Sequence, residues 1–198
     1  MNKLLTIIFC TFIFVSCNKE SGSVQEPEEV YTLKDISYFL KDGDSMRVDT
    51  TYIDSKGIIN KTSTDVKYTV STPALHETSL FINYNTLPLT LKNSDSLKIH
   101  VPVLIDNGRI IMGQSKWKYN ENSRENLPYA TSNAKENITV LAGTSSTVYT
   151  YAVKRNICTS YIATYEEQST GKTLKIEGKW KGELIDHLYT IEEVKAIK

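Results

Sequence analysis

The sequence contains very little cysteine or histidine, and it carries no excess of charge of either sign. Its 198 residues include three cysteines and three histidines, and 23 lysines and arginines are balanced by 23 aspartates and glutamates. This balance gives no electrostatic basis for nucleic-acid binding or for a polybasic membrane patch. No histidine has a second histidine or a cysteine at the spacing of a metal site, so the sequence predicts no metal and no cofactor.

Long apolar runs are also missing, apart from one stretch over residues 4–15. A run of this length is typical of a signal-peptide core and is too short for a membrane-spanning helix, which needs about 20 residues. The residues Phe14-Val15-Ser16-Cys17 at its end resemble a bacterial lipoprotein box, in which the leader is cut before a cysteine that then carries acyl chains. We therefore expect a signal peptide over residues 1–16 and lipid attachment at Cys17. The alternative is an ordinary signal peptide with a chance cysteine.

The segment after Cys17 is polar through residue 30 and contains too little apolar surface to fold. We expect residues 17–30 to form the lipidated cysteine and a flexible tether with a reach of roughly 20 Å. Asn18-Lys19-Glu20 resembles the export tag of surface lipoproteins, although a plain tether explains these residues equally well. The sequence thus predicts an outer-membrane lipoprotein that faces either the periplasm or the cell exterior. Cys158 is the only cysteine left to pair, so an internal disulfide is excluded.

From Tyr31 onward the sequence is rich in Val, Ile, Thr and Tyr and has no long stretch with a helical period. Short alternating runs predict a single all-β domain over residues 31–198, an elongated antiparallel twisted sheet or sandwich. Asn107-Gly108 is the strongest turn signal, because a type I′ turn needs positive φ at both central residues. Further turns are predicted at Asp42-Gly43-Asp44, Ser55-Lys56-Gly57, Asn93-Ser94-Asp95 and Thr170-Gly171. The predicted strands are residues 36–40, 47–53, 65–70, 80–84, 87–91, 97–105, 109–119, 138–141, 148–154, 159–166, 173–180 and 188–194.

The clearest alternation lies in residues 173–181, where Leu174, Ile176, Gly178 and Trp180 share one face. Because successive side chains of a strand point to opposite faces of the sheet, we expect this face to be buried and the lysine-rich face to be exposed to solvent.

Catalytic motifs are absent from the sequence. Gly171-Lys172-Thr173 lacks the earlier glycine and the following helix of a phosphate-binding loop, so we interpret it as a hairpin turn. Cys158 has no base adjacent in sequence, and Asp42-Gly43-Asp44-Ser45 lacks the spacing of a calcium loop. We therefore predict no enzyme activity and no catalytic residue.

A two-faced region spans residues 87–105. Its alternation predicts a hairpin that turns at residues 93–96, and if several copies paired, its apolar face could meet lipid. A half-buried hairpin in an ordinary sandwich gives the same pattern, and its first arm is shorter than the roughly 9–11 residues that a membrane-spanning strand needs. The candidate membrane-inserting residues are Leu87, Leu89, Leu91, Leu97, Ile99, Val101 and Val103.

Several stretches in residues 79–194 resemble, in the same order, the aerolysin-like β-pore-forming proteins of the epsilon-toxin and mosquitocidal-toxin type. They are FINYNT (81–86), VPVLIDNGRI (101–110), KWKYNENSREN (116–126), ITVLAGTSSTVYTYAVKRN (138–156), YIATYE (161–166) and GKWKGEL (178–184). The resemblance implies an elongated all-β rod whose copies oligomerise on a membrane and contribute one hairpin each to a barrel. By order along the chain, that hairpin would lie within residues 87–115. The family hairpin is usually longer and richer in Ser and Thr, and its receptor-binding part is usually larger.

Two functions follow as expectations. The first is a cell-envelope lipoprotein that forms oligomeric pores. The second is a non-enzymatic binding lipoprotein for a glycan or protein ligand, suggested by the 12 tyrosines, since aromatic rings can stack on sugars. Tyr149, Tyr151, Tyr161 and Tyr165 are the tyrosines that strands would present to such a ligand.

Overall fold

The chain forms β-strands and no helix over the part that the computed structural model describes, which is residues 30–84, 90–92, 98–119, 122–129 and 135–197. The all-β prediction is thereby confirmed. The strands are β1 (Val30–Phe39), β2 (Ser45–Asn60), β3 (Val66–Ser71), β4 (His76–Asn83), β5 (Thr90–Lys92), β6 (Lys98–Ile99), β7 (Pro102–Asp106), β8 (Arg109–Met112), β9 (Trp117–Lys118), β10 (Arg124–Pro128), β11 (Lys135–Val140), β12 (Thr144–Glu167) and β13 (Thr173–Ala196). The sequence did not predict β10.

The two longest strands, β12 and β13, form one hairpin of 24 residues on each arm. Strands rise about 3.3 Å per residue, so this hairpin is roughly 80 Å long and makes the molecule a rod. The turn predicted at Thr170-Gly171 joins its arms, with Gly171 at a φ of 73°. The sequence predicted four shorter strands here, and that division was wrong.

The main sheet has seven strands in the order β10-β4-β13-β12-β1-β5, and β2 is a further partner of β12. β1 pairs with the C-terminal half of β12 as far as Phe39 opposite Ser160, and β2 continues along the same edge from Ser45 opposite Cys158. The turn predicted at Asp42-Gly43-Asp44 connects them. The turn predicted at Ser55-Lys56-Gly57 was wrong, because these residues pair with β12 inside β2.

The buried face of β12 changes sides along its length. In the first half the even-numbered residues are buried, where the two-stranded β3–β11 sheet packs against the hairpin. In the second half the odd-numbered residues are buried instead. The residues concerned are Ser146, Val148, Thr150 and Ala152 in the first half, and Ile157, Thr159, Tyr161, Ala163 and Tyr165 in the second.

An aromatic core lies against the second half of the hairpin. The Phe81 ring packs at 4.8 Å from Tyr119 and 5.3 Å from Tyr161, measured between centroids. Trp180 is fully buried and donates its indole N–H to the Ser79 hydroxyl at 2.8 Å. The burial predicted for the alternating face of β13 is confirmed, since Ile176, Gly178 and Trp180 are buried and Leu174 packs against the core.

Candidate functional site: a covering layer and an exposed tyrosine row

Residues 98–119 lie over the aromatic core, and we call this segment the covering layer. Its strands form two small sheets, β6 with β9 and β7 with β8. Among the residues that the structure describes, none of these four strands pairs with the seven-stranded sheet. The covering layer is therefore held in place by side chains and not by a backbone ladder.

Apolar burial provides one part of that attachment. Val101 and Trp117 have no exposed surface, and Ile99 and Tyr119 are buried at 9% and 5% exposure. Burying side chains of this size stabilises the packed state by about 1.5–3 kcal/mol each. The attachment is therefore strong, but the same side chains would regain this burial free energy in any other apolar environment.

A few polar contacts provide the other part. The Lys116 ammonium forms an ion pair with the buried carboxylate of Glu77, which also accepts the backbone N–H of Ile185 at 3.2 Å. Arg155 donates to the carbonyl of Val103 at 3.0 Å, and the Tyr38 hydroxyl donates to the carbonyl of His100 at 3.1 Å. These contacts join the layer to β1, β4 and β12 without adding a strand to any of them.

The predicted turn at Asn107-Gly108 is confirmed. It joins β7 and β8, and both residues have positive φ, at 47° and 74°. The predicted hairpin of residues 87–105 was wrong, because β5 pairs in parallel with β1 and β6 pairs with β9. The apolar face of β6 packs against the aromatic core and not against the other arm of the predicted hairpin.

The candidate membrane-inserting residues are distributed accordingly. Ile99 and Val101 are buried in the core, Val103 packs against it, and Leu91 lies in β5 opposite Tyr31. Leu87, Leu89 and Leu97 lie outside the described residues, as do the predicted turn at Asn93-Ser94-Asp95 and the lipid attachment at Cys17. Membrane insertion of this segment stays a prediction.

The upper half of the rod, where β2 flanks the hairpin, has two open strand edges. In the described part of the chain, β2 pairs only with β12, and β4 covers β13 only over residues 178–183. The outer edges of β2 and of β13 beyond residue 184 therefore present backbone donors and acceptors without a strand partner. Such edges are templates for pairing with another chain.

The face of this upper half that is turned away from β3–β11 carries a row of tyrosines, which we call the tyrosine row: Tyr52 on β2, Tyr151 on β12 and Tyr189 on β13. The rings of Tyr151 and Tyr189 stack at 5.3 Å with an interplanar angle of 14°, and Tyr52 meets Tyr151 edge-on at 5.9 Å. Tyr52 is 52% exposed and Tyr189 is 37% exposed. Beside the row, Tyr149 donates to Glu193 at 3.2 Å, and this hydrogen bond raises the pKa of the Tyr149 phenol.

The tyrosines proposed for ligand stacking thus divide into two groups. Tyr149 and Tyr151 lie on the accessible face, as that hypothesis requires. Tyr161 and Tyr165 are fully buried in the aromatic core and cannot meet a ligand in this conformation. All four have odd numbers on β12 and therefore lie on the same side of the strand. Their burial differs because the covering layer lies over only the second pair.

The remaining chemistry of the described residues is sparse. They contain no group of three or more His, Cys, Asp or Glu side chains arranged to hold a metal. His76, His100 and His187 are exposed, and Cys158 is a free, half-buried thiol. In the same part of the chain there is no helix long and apolar enough to cross a membrane.

No family model matches the sequence, and no curated protein is similar to it. Solved structures are similar. The crystal structure of Lamprey immune protein superposes with a TM-score of 0.55 at 16% identity, covering 85% of this chain and 54% of that chain. This chain therefore spans about half the length of the lamprey protein.

Two further structures superpose more loosely. The parasporin-2 toxin of Bacillus thuringiensis, described as recognising cancer cells, matches with a TM-score of 0.48 at 11% identity, over 83% of this chain and 74% of that chain. An aerolysin-like protein of Bombina maxima matches with a TM-score of 0.40 at 10% identity, over 84% and 98%. The predicted elongated antiparallel all-β fold is confirmed, and the lamprey protein shares it. At these identities the likeness concerns the fold alone.

Proposed function

We propose that this protein is a lipid-anchored, non-enzymatic protein of the bacterial outer membrane that acts on membranes by forming oligomeric β-barrel pores. The observation that carries the proposal is the covering layer, which no strand pairing ties to the main sheet in the described residues. Such a layer can leave without breaking the ladder of the long hairpin. The sequence resemblance to aerolysin-like pore-forming proteins supports the same reading.

The segment that would leave has a suitable composition and length. Residues 87–115 provide enough chain for two arms of the roughly 9–11 residues that a membrane-spanning strand needs, with a turn between them. Besides the covering layer, this segment includes β5, whose short parallel pairing with β1 would have to separate. Ile99 and Val101, which fill the aromatic core, are also two of the residues that would face lipid. The apolar burial lost at the core is regained in the bilayer, so release is costly in water and much less so at a membrane.

The two open edges supply a means of assembly. The outer edge of β2 in one copy can pair with the outer edge of β13 in the next, because the two edges lie on opposite sides of the same sheet. A head-to-tail contact of this kind generates a ring when its rotation closes. A bulge interrupts the pairing of β12 with each of these strands, and bulges near an edge hinder pairing in solution.

A reversible disulfide within the covering layer tests whether the layer must open, because it ties β6 to β9 and prevents residues 98–118 from extending into membrane-spanning strands. Lys98 and Lys118 are opposite partners in the β6–β9 pair, and opposed antiparallel Cα atoms, at about 4.5–5.5 Å, suit a disulfide. In a Cys158→Ala background, Lys98→Cys with Lys118→Cys should release dye from vesicles of phosphatidylethanolamine and phosphatidylglycerol, or of phosphatidylcholine, only when reduced. The matched control is Lys67→Cys with Thr139→Cys across β3–β11, which should leak in both states. Absence of leakage and of detergent-resistant oligomers with the reduced protein contradicts the proposal.

The anchor is tested separately. Intact-mass measurement of the membrane fraction should show a chain that begins at Cys17 and carries acyl groups. Cys17→Ala should move the protein out of that fraction, and protease added to whole cells distinguishes outward from periplasmic exposure. A chain that begins elsewhere would contradict lipidation while leaving pore formation open.

The tyrosine row favours a second candidate, a binding lipoprotein for a glycan or protein ligand. Its three rings lie in contact on one sheet face, two of them stacked and one edge-on, with Tyr52 and Tyr189 exposed, and stacking on aromatic rings is a common mode of ligand contact. On a glycan array, any ligand of the wild type should be lost with Tyr189→Ala. It should be kept with Tyr84→Ala, an exposed tyrosine away from the row.

A further inference from the structure

A cleft of about 360 Å³ lies on the opposite face of the sheet from the covering layer. It is built by side chains in register across five neighbouring strands, from β2 through β12, β13 and β4 to β10. One line across it contains Ser45, Cys158, Lys181, Leu80 and Arg124. Its volume falls within the range of small-molecule sites, about 300–1,000 Å³.

The charge in this cleft is mainly positive. Arg47, Arg124 and Lys181 line it, and among the described residues Glu183 is the one acidic side chain in the lining. Asp49 lies beside the cleft in an ion pair with Arg47. Glu183 is already paired with Lys154 at 2.6 Å. Among the described residues, Arg124 and Lys181 form no ion pair, so their positive charges remain available to a ligand.

Part of the cleft is organised in advance. Asp49 accepts hydrogen bonds from Arg47 Nε and Asn156 Nδ2, both at 2.8 Å, and so fixes two side chains of the lining. Arg47 is nevertheless 76% exposed, which leaves the other guanidinium donors open. Lys181 is two strands away from both Arg47 and Arg124, or about 10 Å. Long side chains at that spacing can converge on one group.

We propose that this cleft binds a small ligand through an oxyanion group, a phosphate, sulfate or carboxylate, held between Arg47, Lys181 and Arg124. Guanidinium groups match the planar, bidentate geometry of such anions, and charge-assisted hydrogen bonds are the stronger kind. The hydroxyls of Ser45 and Thr78 supply further polar contacts, and Leu80 gives the cleft an apolar wall. Soluble molecules and lipid headgroups both carry such oxyanions, and the chemistry of recognition is the same for both.

Cys158 lies in the cleft and provides a built-in reporter. Alkylation of its thiol by N-ethylmaleimide in the full chain is read from the mass of the tryptic peptide 156–172. Replacing sodium chloride by sodium phosphate at equal ionic strength should slow the alkylation, by about tenfold when phosphate is near nine times its Kd. A second arm uses phosphatidylcholine vesicles with and without phosphatidylglycerol, so protection confined to the anionic vesicles identifies a lipid-borne oxyanion.

Two variants decide between specific binding and general ion effects. Arg124→Gln with Lys181→Gln should abolish the protection of Cys158, whereas Lys67→Gln, an exposed lysine on β3, should keep it. Equal alkylation rates in phosphate, chloride and both kinds of vesicle would overturn the proposal, and so would protection that persists in the double variant. The covering layer lies on the other face, so dye release by these variants should match the wild type. Failure of this proposal is thereby distinguishable from failure of pore formation.

Discussion

The carboxylate of Asp44 accepts the backbone N–H of Ser160 at 2.9 Å, at the point where the edge of β12 passes from β1 to β2. Phe39, opposite Ser160, is the last paired residue of β1, and Ser45, opposite Cys158, is the first of β2. At this junction between the two partner strands, a side chain provides the acceptor for the N–H of Ser160. The same carboxylate accepts the N–H of Lys41 at 2.8 Å and forms an ion pair with Lys179. Asp44 therefore joins the two strands that share one edge of the long hairpin.

Asp44→Asn should lower stability at neutral pH. Burial alone would raise the pKa of Asp44, but hydrogen bonds from Lys179, Lys41 and Ser160 hold it below its ordinary value of 3.8. A lowered folded pKa gives stability that is present above the ordinary pKa and lost as the pH falls through the folded one. Urea unfolding should show a loss of about 1–3 kcal/mol at neutral pH, shrinking in acid. Asp42→Asn, exposed in the same turn, should change little, and a pH-independent difference would contradict this account.

Gly178→Ala should be severely destabilising. An added Cβ would lie 2.3 Å from the carbonyl oxygen of Ile82 and 2.6 Å from the Tyr161 ring, so backbone or core must shift. Overpacking of this kind costs about 1–3 kcal/mol or more. Gly57→Ala is the matched control, because an added Cβ there meets nothing within 4 Å. Thermal unfolding should separate the two variants clearly, and equal midpoints would disprove the packing described here.

Glu77→Gln should loosen the covering layer. The change keeps an acceptor for the N–H of Ile185 but removes the charge partner of Lys116. A partly exposed ion pair contributes up to about 1 kcal/mol, equivalent to about fivefold in an opening equilibrium. Tryptic cleavage after Arg109, in the layer, should therefore accelerate by a few fold. Glu177→Gln removes an exposed pair with Lys41 elsewhere, and it should leave that rate unchanged. Equal acceleration in both variants would argue against a local attachment.

Tyr151 and Tyr189 should be energetically coupled. Their stacked rings predict a coupling of about 0.5–1.5 kcal/mol in a double-mutant cycle to alanine, measured by urea unfolding. The control cycle pairs Tyr151 with Tyr84, which lies outside the row, and it should show additivity. Additive losses for Tyr151 and Tyr189 would mean that the stacking contributes nothing to the free energy of unfolding.

Local sequence was a good guide wherever the signal was itself local. Asn107-Gly108 and Thr170-Gly171 form the predicted turns, because glycine and asparagine are the residue types that adopt the positive φ such turns need. The alternation in residues 173–181 correctly gave the buried face of β13 because one core lies against that whole stretch. Ser55-Lys56-Gly57 misled the prediction, because a glycine with open space around it is tolerated inside a paired strand.

The buried face of β12 shows what local sequence could not give. The change of buried parity between Ala152 and Ile157 looks like a break between two strands, although the backbone pairing runs through it. The change arises because β3–β11 covers one face of the hairpin and the covering layer covers the opposite face further along. Neither packing partner is adjacent to β12 in sequence. The cleft of Arg47, Lys181 and Arg124 was missed for the same reason, since its residues come from strands far apart in the chain.

The sequence by itself determined an all-β chain with its principal turns, because strand alternation and positive φ depend on neighbouring residues. It also carries the predicted leader and lipid attachment at Cys17, which depend on a short contiguous motif. Only the tertiary structure decided that Tyr161 is fully buried while Tyr151 stays partly exposed on the same side of one strand. It also decided that residues 98–119 pack on the sheet without pairing to it, because packing across a sheet depends on segments that the chain brings together only on folding.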